Sequence, residues 1–198
     1  MARSEKSVKS HPDLQGSSRT QRYFLTPSLH PHGWKLTIQE EGGPSLYQII
    51  RHPTVPPFFK LRSLKSQKDE VLKIKSTRIE DITRYSLVEK NQEQLSIRST
   101  STSPVVFLRN QQRKTIGHFL PISPEIILLR TPNATVARLR LKEKPPPLRL
   151  QIECEIRDKQ QWLFAVLLYS IFRIEVAESV PLPQEKPPEK INDTSSNT

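Results

Sequence analysis

The segment Gln160 to Val176 constrains this chain more than any other. Trp162, Leu163, Phe164, Ala165, Val166, Leu167, Leu168, Tyr169, Ile171, Phe172 and Ile174 leave a helix there apolar on nearly every side. Such a helix belongs inside a protein or inside a bilayer. Its unbroken apolar run, 162–169, is far shorter than the ~20 residues needed to span a bilayer, and Arg173 and Glu175 close it. The rest of the chain must therefore build a container for a helix over about 160–174.

The preceding residues supply one. Short apolar-alternating runs come in pairs around polar breaks: 34–39 and 46–52, 58–64 and 71–75, 84–89 and 94–98, 105–109 and 115–119, 126–130 and 135–141. Each pair reads as a β-hairpin. The clearest strand is 148–156, where Leu148, Leu150, Ile152, Cys154 and Ile156 alternate with Arg149, Gln151, Glu153 and Glu155; period two marks one buried and one wet face. About eleven strands result, with most of the 18 prolines between them, where a missing amide costs no ladder bond. Serial hairpins predict an antiparallel meander or barrel, and a helix threaded through a barrel fills an interior too wide for strand side chains alone.

The ends differ from the middle. Residues 1–33 carry +3 and no long apolar run, and are expected to be a mostly disordered basic segment without a secretory signal. Residues 177–198 are proline-rich and carry −2, too poor in apolar surface to offset their chain entropy; they read as a disordered acidic tail. The folded region, 34–176, holds +10 of the net charge of +11. The single cysteine excludes an internal disulfide framework and favours a reducing compartment, so the expected location is cytoplasmic, with peripheral-membrane or nuclear association.

The tandem hairpins seen in Phe59-Lys60-Leu61 with Val71-Leu72-Lys73-Ile74, and in Ile127-Leu128-Leu129 with Val136-Ala137-Arg138-Leu139, lead to a terminal strand followed at once by Asp158 to Phe172. Over roughly 34–176 this order resembles the tubby-like superfamily, which includes tubby C-terminal domains, phospholipid scramblases and LURP-one-related proteins. The resemblance implies a mainly β fold: a closed antiparallel barrel of about twelve strands around one hydrophobic C-terminal helix.

Catalytic signatures are missing from the sequence. It has no His-Glu-x-x-His, Gly-x-Ser-x-Gly, P-loop or dinucleotide fingerprint, so no enzyme, cofactor or metal is expected. As metal ligands His30 and His32 find no convergent Cys or carboxylate in the sequence, and Cys154 lies in phase with a core face. Cations carry the stronger signal. Arg138, Arg140 and Lys142 fall at every second position, as do Lys60 with Arg62 and Lys73 with Lys75; Lys144 and Arg149 follow nearby. One strand face presents each set, where Arg suits bidentate phosphate contacts and Lys adds point charge. The expected partner is anionic membrane lipid or a phosphoinositide headgroup. The alternative is a nucleic-acid-associated or nuclear adaptor, against which Phe59, Phe107 and Phe119 are read as pointing inward, leaving no stacking platform. A protein partner of the proline-rich tail is a third expectation. The run Ser99 to Ser103 reads as an exposed loop between hairpins.

Overall fold

A computed structural model describes residues 19–31, 33–64, 71–144, 150–157 and 160–178. Twelve strands precede one helix: β1 (Thr20–His30), β2 (Gly33–Glu40), β3 (Ser45–His52), β4 (Phe58–Ser63), β5 (Val71–Ile79), β6 (Ile82–Glu89), β7 (Gln92–Thr100), β8 (Ser103–Asn110), β9 (Thr115–Pro121), β10 (Ile126–Arg130), β11 (Thr135–Glu143), β12 (Leu150–Arg157) and α1 (Gln160–Glu178). Every strand pairs antiparallel with its sequence neighbour, and β1 pairs with β12 as well as β2, so the sheet closes. The expected hairpins, the closed barrel and its C-terminal helix are all present.

Alternation explains the wall. Along β12, Leu150, Ile152, Cys154 and Ile156 are buried and the residues between them half-buried, and inward positions of the other strands add Leu36, Ile38, Phe59, Leu61, Ile74, Leu108, Phe119 and Leu139. The helix fills the lumen with Leu163, Ala165 to Ile171 and Ile174, all buried. Phe119 stacks on Tyr169 with ring centroids 4.2 Å apart, while Tyr47 meets Phe164 edge-on at 5.9 Å. The buried Ser170 hydroxyl donates to the Val166 carbonyl at 2.7 Å, as a polar group in a dry core must. The helix's last turn is tied inside as well. Trp34 Nε1 donates to Glu175 Oε1 at 2.9 Å and Arg51 Nε to the same oxygen at 3.1 Å.

Three details depart from expectation. The barrel starts before residue 34: β1 puts Tyr23 and Leu25 into the core, and Pro27 sits in the strand opposite Leu36. Pairing with β12 as far as Leu25, and with β2 as far as His30, holds this stretch extended despite its proline. Residues 1–18 and 179–198, which include most of both expected tails, lie outside the described residues. The turns are also tighter. Glu80 to Asp81 and Lys90 to Asn91 are two-residue connections, and Glu80, Lys90 and Asn91 take positive φ, as tight hairpin turns require. Finally, only Ser101 and Thr102 form the β7–β8 turn; Ser99 is an inward, buried residue of β7.

Candidate functional site

The barrel distributes the cation sets over two opposite sides. In a closed ring of twelve strands, β11 and β5 are six positions apart, so Arg138, Arg140 and Lys142 cannot share a patch with Lys73 and Lys75. Lys144 is exposed just beyond β11, and Arg149 lies outside the described residues.

Carboxylates occupy the β11 side. Arg138 lies directly opposite Glu155 on β12, and Arg140 opposite Glu153. Lys142 forms an ion pair with Glu153. Glu155 also accepts from Arg22 Nε of β1 at 2.9 Å, and Arg22 reaches Glu41 at 3.4 Å. Signs therefore alternate around the barrel from Arg138 to Glu155, Arg22 and Glu41. Opposite charges directly across a ladder stabilise it by ~0.2–1 kcal/mol per pair. This stripe lies where β1 closes the barrel, and its cations are largely balanced.

The β4–β5 side is different. Lys60 and Lys73 are direct cross-strand neighbours, and Lys75 lies opposite Phe58. All three lysines are exposed, as is Arg62. Lys35 of β2 continues the row, separated from Lys60 only by Ile50 of β3. Among the described residues no ion pair joins Lys60, Lys73 or Lys75 to a carboxylate. Like charges directly opposite each other cost stability. Nor do these lysines guard a sheet edge against aggregation, because a closed barrel has none. Beside them, the His52 and Phe58 rings stack at 4.6 Å with a 2° interplanar angle.

The two ends of the barrel also differ, a feature that no single stretch of sequence displays. Seven large apolar side chains are exposed among the described residues, and five of them lie at one end. Leu29 (64 % exposed) lies beside the β1–β2 turn, Val55 (101 %) in the β3–β4 connection, Ile79 (64 %) before the β5–β6 turn and Ile122 (55 %) in the β9–β10 turn. Val176 (48 %) emerges there from the last turn of α1. Connections at the opposite end read Glu41-Gly42-Gly43-Pro44, Lys90-Asn91, Gln111 to Lys114 and Thr131 to Ala134, and among the described residues Leu64, just after β4, is the one exposed large apolar side chain there. Scattered exposed apolar residues need no explanation, whereas apolar residues concentrated on one surface mark an interaction site.

No family model, curated protein or solved structure matches this chain. Function must be argued from the surfaces themselves.

Cys154 is buried, and burial pushes its thiol well above the ordinary range despite the backbone contact with Tyr23; it fills the core and is no nucleophile. Among the described residues no group of three His, Cys, Asp or Glu side chains is arranged to hold a metal ion. On the outer face of β6 and β7, Glu93 pairs with Arg84. Burial alone would raise the Glu93 carboxyl, but hydrogen bonds from Ser86, Arg84 and Ser96 outweigh it and hold the group below its ordinary range. One aromatic expectation is corrected. Phe59 and Phe119 are buried, but Phe107 is exposed on the outer face between Arg98 of β7 and His118 of β9, with Arg130 next in the row. Val106 and Leu108 take the inward positions of β8, so period two turns Phe107 between them outward.

Proposed function

We propose that this protein is a non-enzymatic module of the tubby-like kind that binds anionic lipid at a membrane surface with one corner of its barrel. One observation carries the reading: lysines with no ion pair among the described residues and three consecutive aliphatic hairpin tips share the same side. Leu29, Val55 and Ile79 cap the β1–β2, β3–β4 and β5–β6 hairpins, and Lys35, Lys60, Lys73 and Lys75 project from the wall beside them. Lys75 stands four residues from Ile79, ~13 Å along a strand at ~3.3 Å per residue. A strand tilt of about 40° reduces that to ~10 Å of height. This is close to the Debye length of ~8 Å, so the lysines feel the headgroup charge while the tips reach the interface. Each lysine contributes ~1 kcal/mol near an anionic surface, and each aliphatic tip up to ~1.5–3 kcal/mol if fully buried. Glu80 and Asp81, on the turn after Ile79, oppose deep insertion, so the contact is shallow. No helix among the described residues is long and apolar enough to cross a membrane.

Vesicle sedimentation tests the reading. The protein should pellet with phosphatidylcholine vesicles containing phosphatidylserine or a phosphoinositide, and stay in solution with phosphatidylcholine alone. Replacing Lys60, Lys73 and Lys75 by Gln together should weaken binding by on the order of 100-fold, three losses of ~1 kcal/mol each. Val55→Ser with Ile79→Ser should remove the salt-resistant part. Equal recovery in the supernatant for both vesicle types at low salt would sink the proposal.

A second reading has Phe107 in its favour. An exposed ring between Arg98 and His118, with Arg130 beyond, is a small stacking platform among cations, the combination that single-stranded nucleic acid uses. Phe107→Ala should then abolish strand binding and leave vesicle binding unchanged, because the two surfaces are separate.

A further inference from the structure

At the apolar end of the barrel the wall and the helix part company. Deeper in the lumen, the inward positions of β5, β6 and β7 are large and apolar: Ile74, Leu87 and Leu95 share one row. Two steps nearer the rim the register places Ser76 opposite Tyr85, and then Arg78, Thr83 and Ser99 in a single row. Ser76, Thr83 and Ser99 are too short to fill the space up to the helix. The result is a cavity of about 690 Å³ between α1 and the wall, within the ~300–1,000 Å³ typical of small-molecule sites.

Its lining is divided. Val106, Pro121, Tyr169 and Phe172 provide apolar surface, whereas Arg78 and Arg173 bring positive charge. The titratable groups facing it are Arg78, Asp81, Tyr85, Tyr169, Arg173 and Glu175. Glu175 is already engaged by Arg51 and Trp34, and Arg173 hydrogen-bonds the Tyr169 hydroxyl. Arg78 forms no ion pair with a described carboxylate. The opening lies among Pro56, Asp81, Ser101, Pro104 and Val176, on the rim that carries the aliphatic tips.

We propose that this cavity binds one single-chain anionic amphiphile, its chain against Val106, Tyr169 and Phe172 and its head at Arg78 and Arg173. Guanidinium groups bind carboxylate and phosphate alike through charge-assisted paired hydrogen bonds, so a fatty carboxylate and a monoalkyl phosphate share the required head chemistry. The site is separate from the lysine surface proposed above and can be tested without membranes.

Isothermal titration of the full chain with dodecanoate, dodecyl phosphate and dodecanol, each below its aggregation concentration, reads the proposal directly. At least one of the two anions should bind with one-to-one stoichiometry, and dodecanol about tenfold more weakly or not at all, a difference of ~1.4 kcal/mol. Which anion binds more tightly assigns the source of the head group. Arg78→Gln should remove that preference without changing thermal stability, because Arg78 is exposed and ties no element down. Ser99→Leu should abolish binding by filling the cavity; Thr83→Leu serves if that variant does not fold. Failure of the wild-type chain to bind either anion overturns the proposal, whatever the vesicle result. Undiminished binding in a folded cavity-filling variant overturns it equally. Loss of vesicle binding in the triple lysine variant with anion binding retained supports both proposals as separate sites.

Discussion

Val166→Asp tests whether the helix is the core of this protein. Val166 is fully buried in α1, and the buried polar side chains among the described residues are all serines, so the substitution loses apolar burial and introduces a carboxyl with no buried charged partner among them. An ionised, unpaired group there costs several kcal/mol. The cheaper course is to remain protonated, which costs ~1.36 kcal/mol for each pH unit above the reference pKa of ~3.9. That amounts to ~4 kcal/mol at pH 7 and ~1.5 kcal/mol at pH 5. The lost valine surface adds ~2 kcal/mol at any pH. The total at pH 7 is comparable to the whole stability of many domains, ~5–15 kcal/mol. The sign follows from linkage. A carboxyl whose pKa is raised in the folded state imposes no charge penalty below its unfolded pKa and a growing one as pH rises. Urea unfolding followed by circular dichroism should therefore show V166D ~2–3 kcal/mol less impaired at pH 5 than at pH 7, each read against wild type, with V166N equally impaired at both. A V166D protein that melts within a degree or two of wild type, or whose deficit ignores pH, would refute the enclosed helix.

Other expectations follow from single sites. Leu25→Ala should cost ~2–5 kcal/mol, because Leu25 of β1 is fully buried; an unchanged melting temperature would mean that β1 does not close the barrel. Gly117→Ala should cost ~1–3 kcal/mol, since a Cβ there would stand 2.7 Å from the Arg130 carbonyl oxygen; differential scanning calorimetry measures it. Glu93→Gln should lower the melting temperature at pH 7. The ionised carboxyl, held below its ordinary range, contributes stability above the unfolded pKa of ~4.3 that is lost as pH falls through the lower folded value. The gap between variant and wild type should therefore close in acid, and a gap that stays constant from pH 7 to pH 3 would contradict the sign.

The architecture was legible because its signals are local. Period-two alternation in 150–157 and 135–141 declares a strand with one dry face, and an all-apolar helix of eight unbroken residues, 162–169, must be enclosed. Even β1 left a trace in the spacing of Tyr23, Leu25 and Leu29, obscured by Pro27, whose extended state depends on Leu36 of β2, 9 residues away. The cations were legible as residues but not as sites. Arg138 and Arg140 look as exposed along their strand as Lys73 and Lys75 do along theirs. Only cross-strand register sets the first pair against Glu155 and Glu153 and the second beside Lys60. Pairing likewise set Arg98 and His118 beside the outward Phe107, and gathered aliphatic tips from distant hairpins onto one rim. Alternation along a strand decides which face a residue occupies; what stands across from it is decided by pairing between strands, and charge acts through that neighbour.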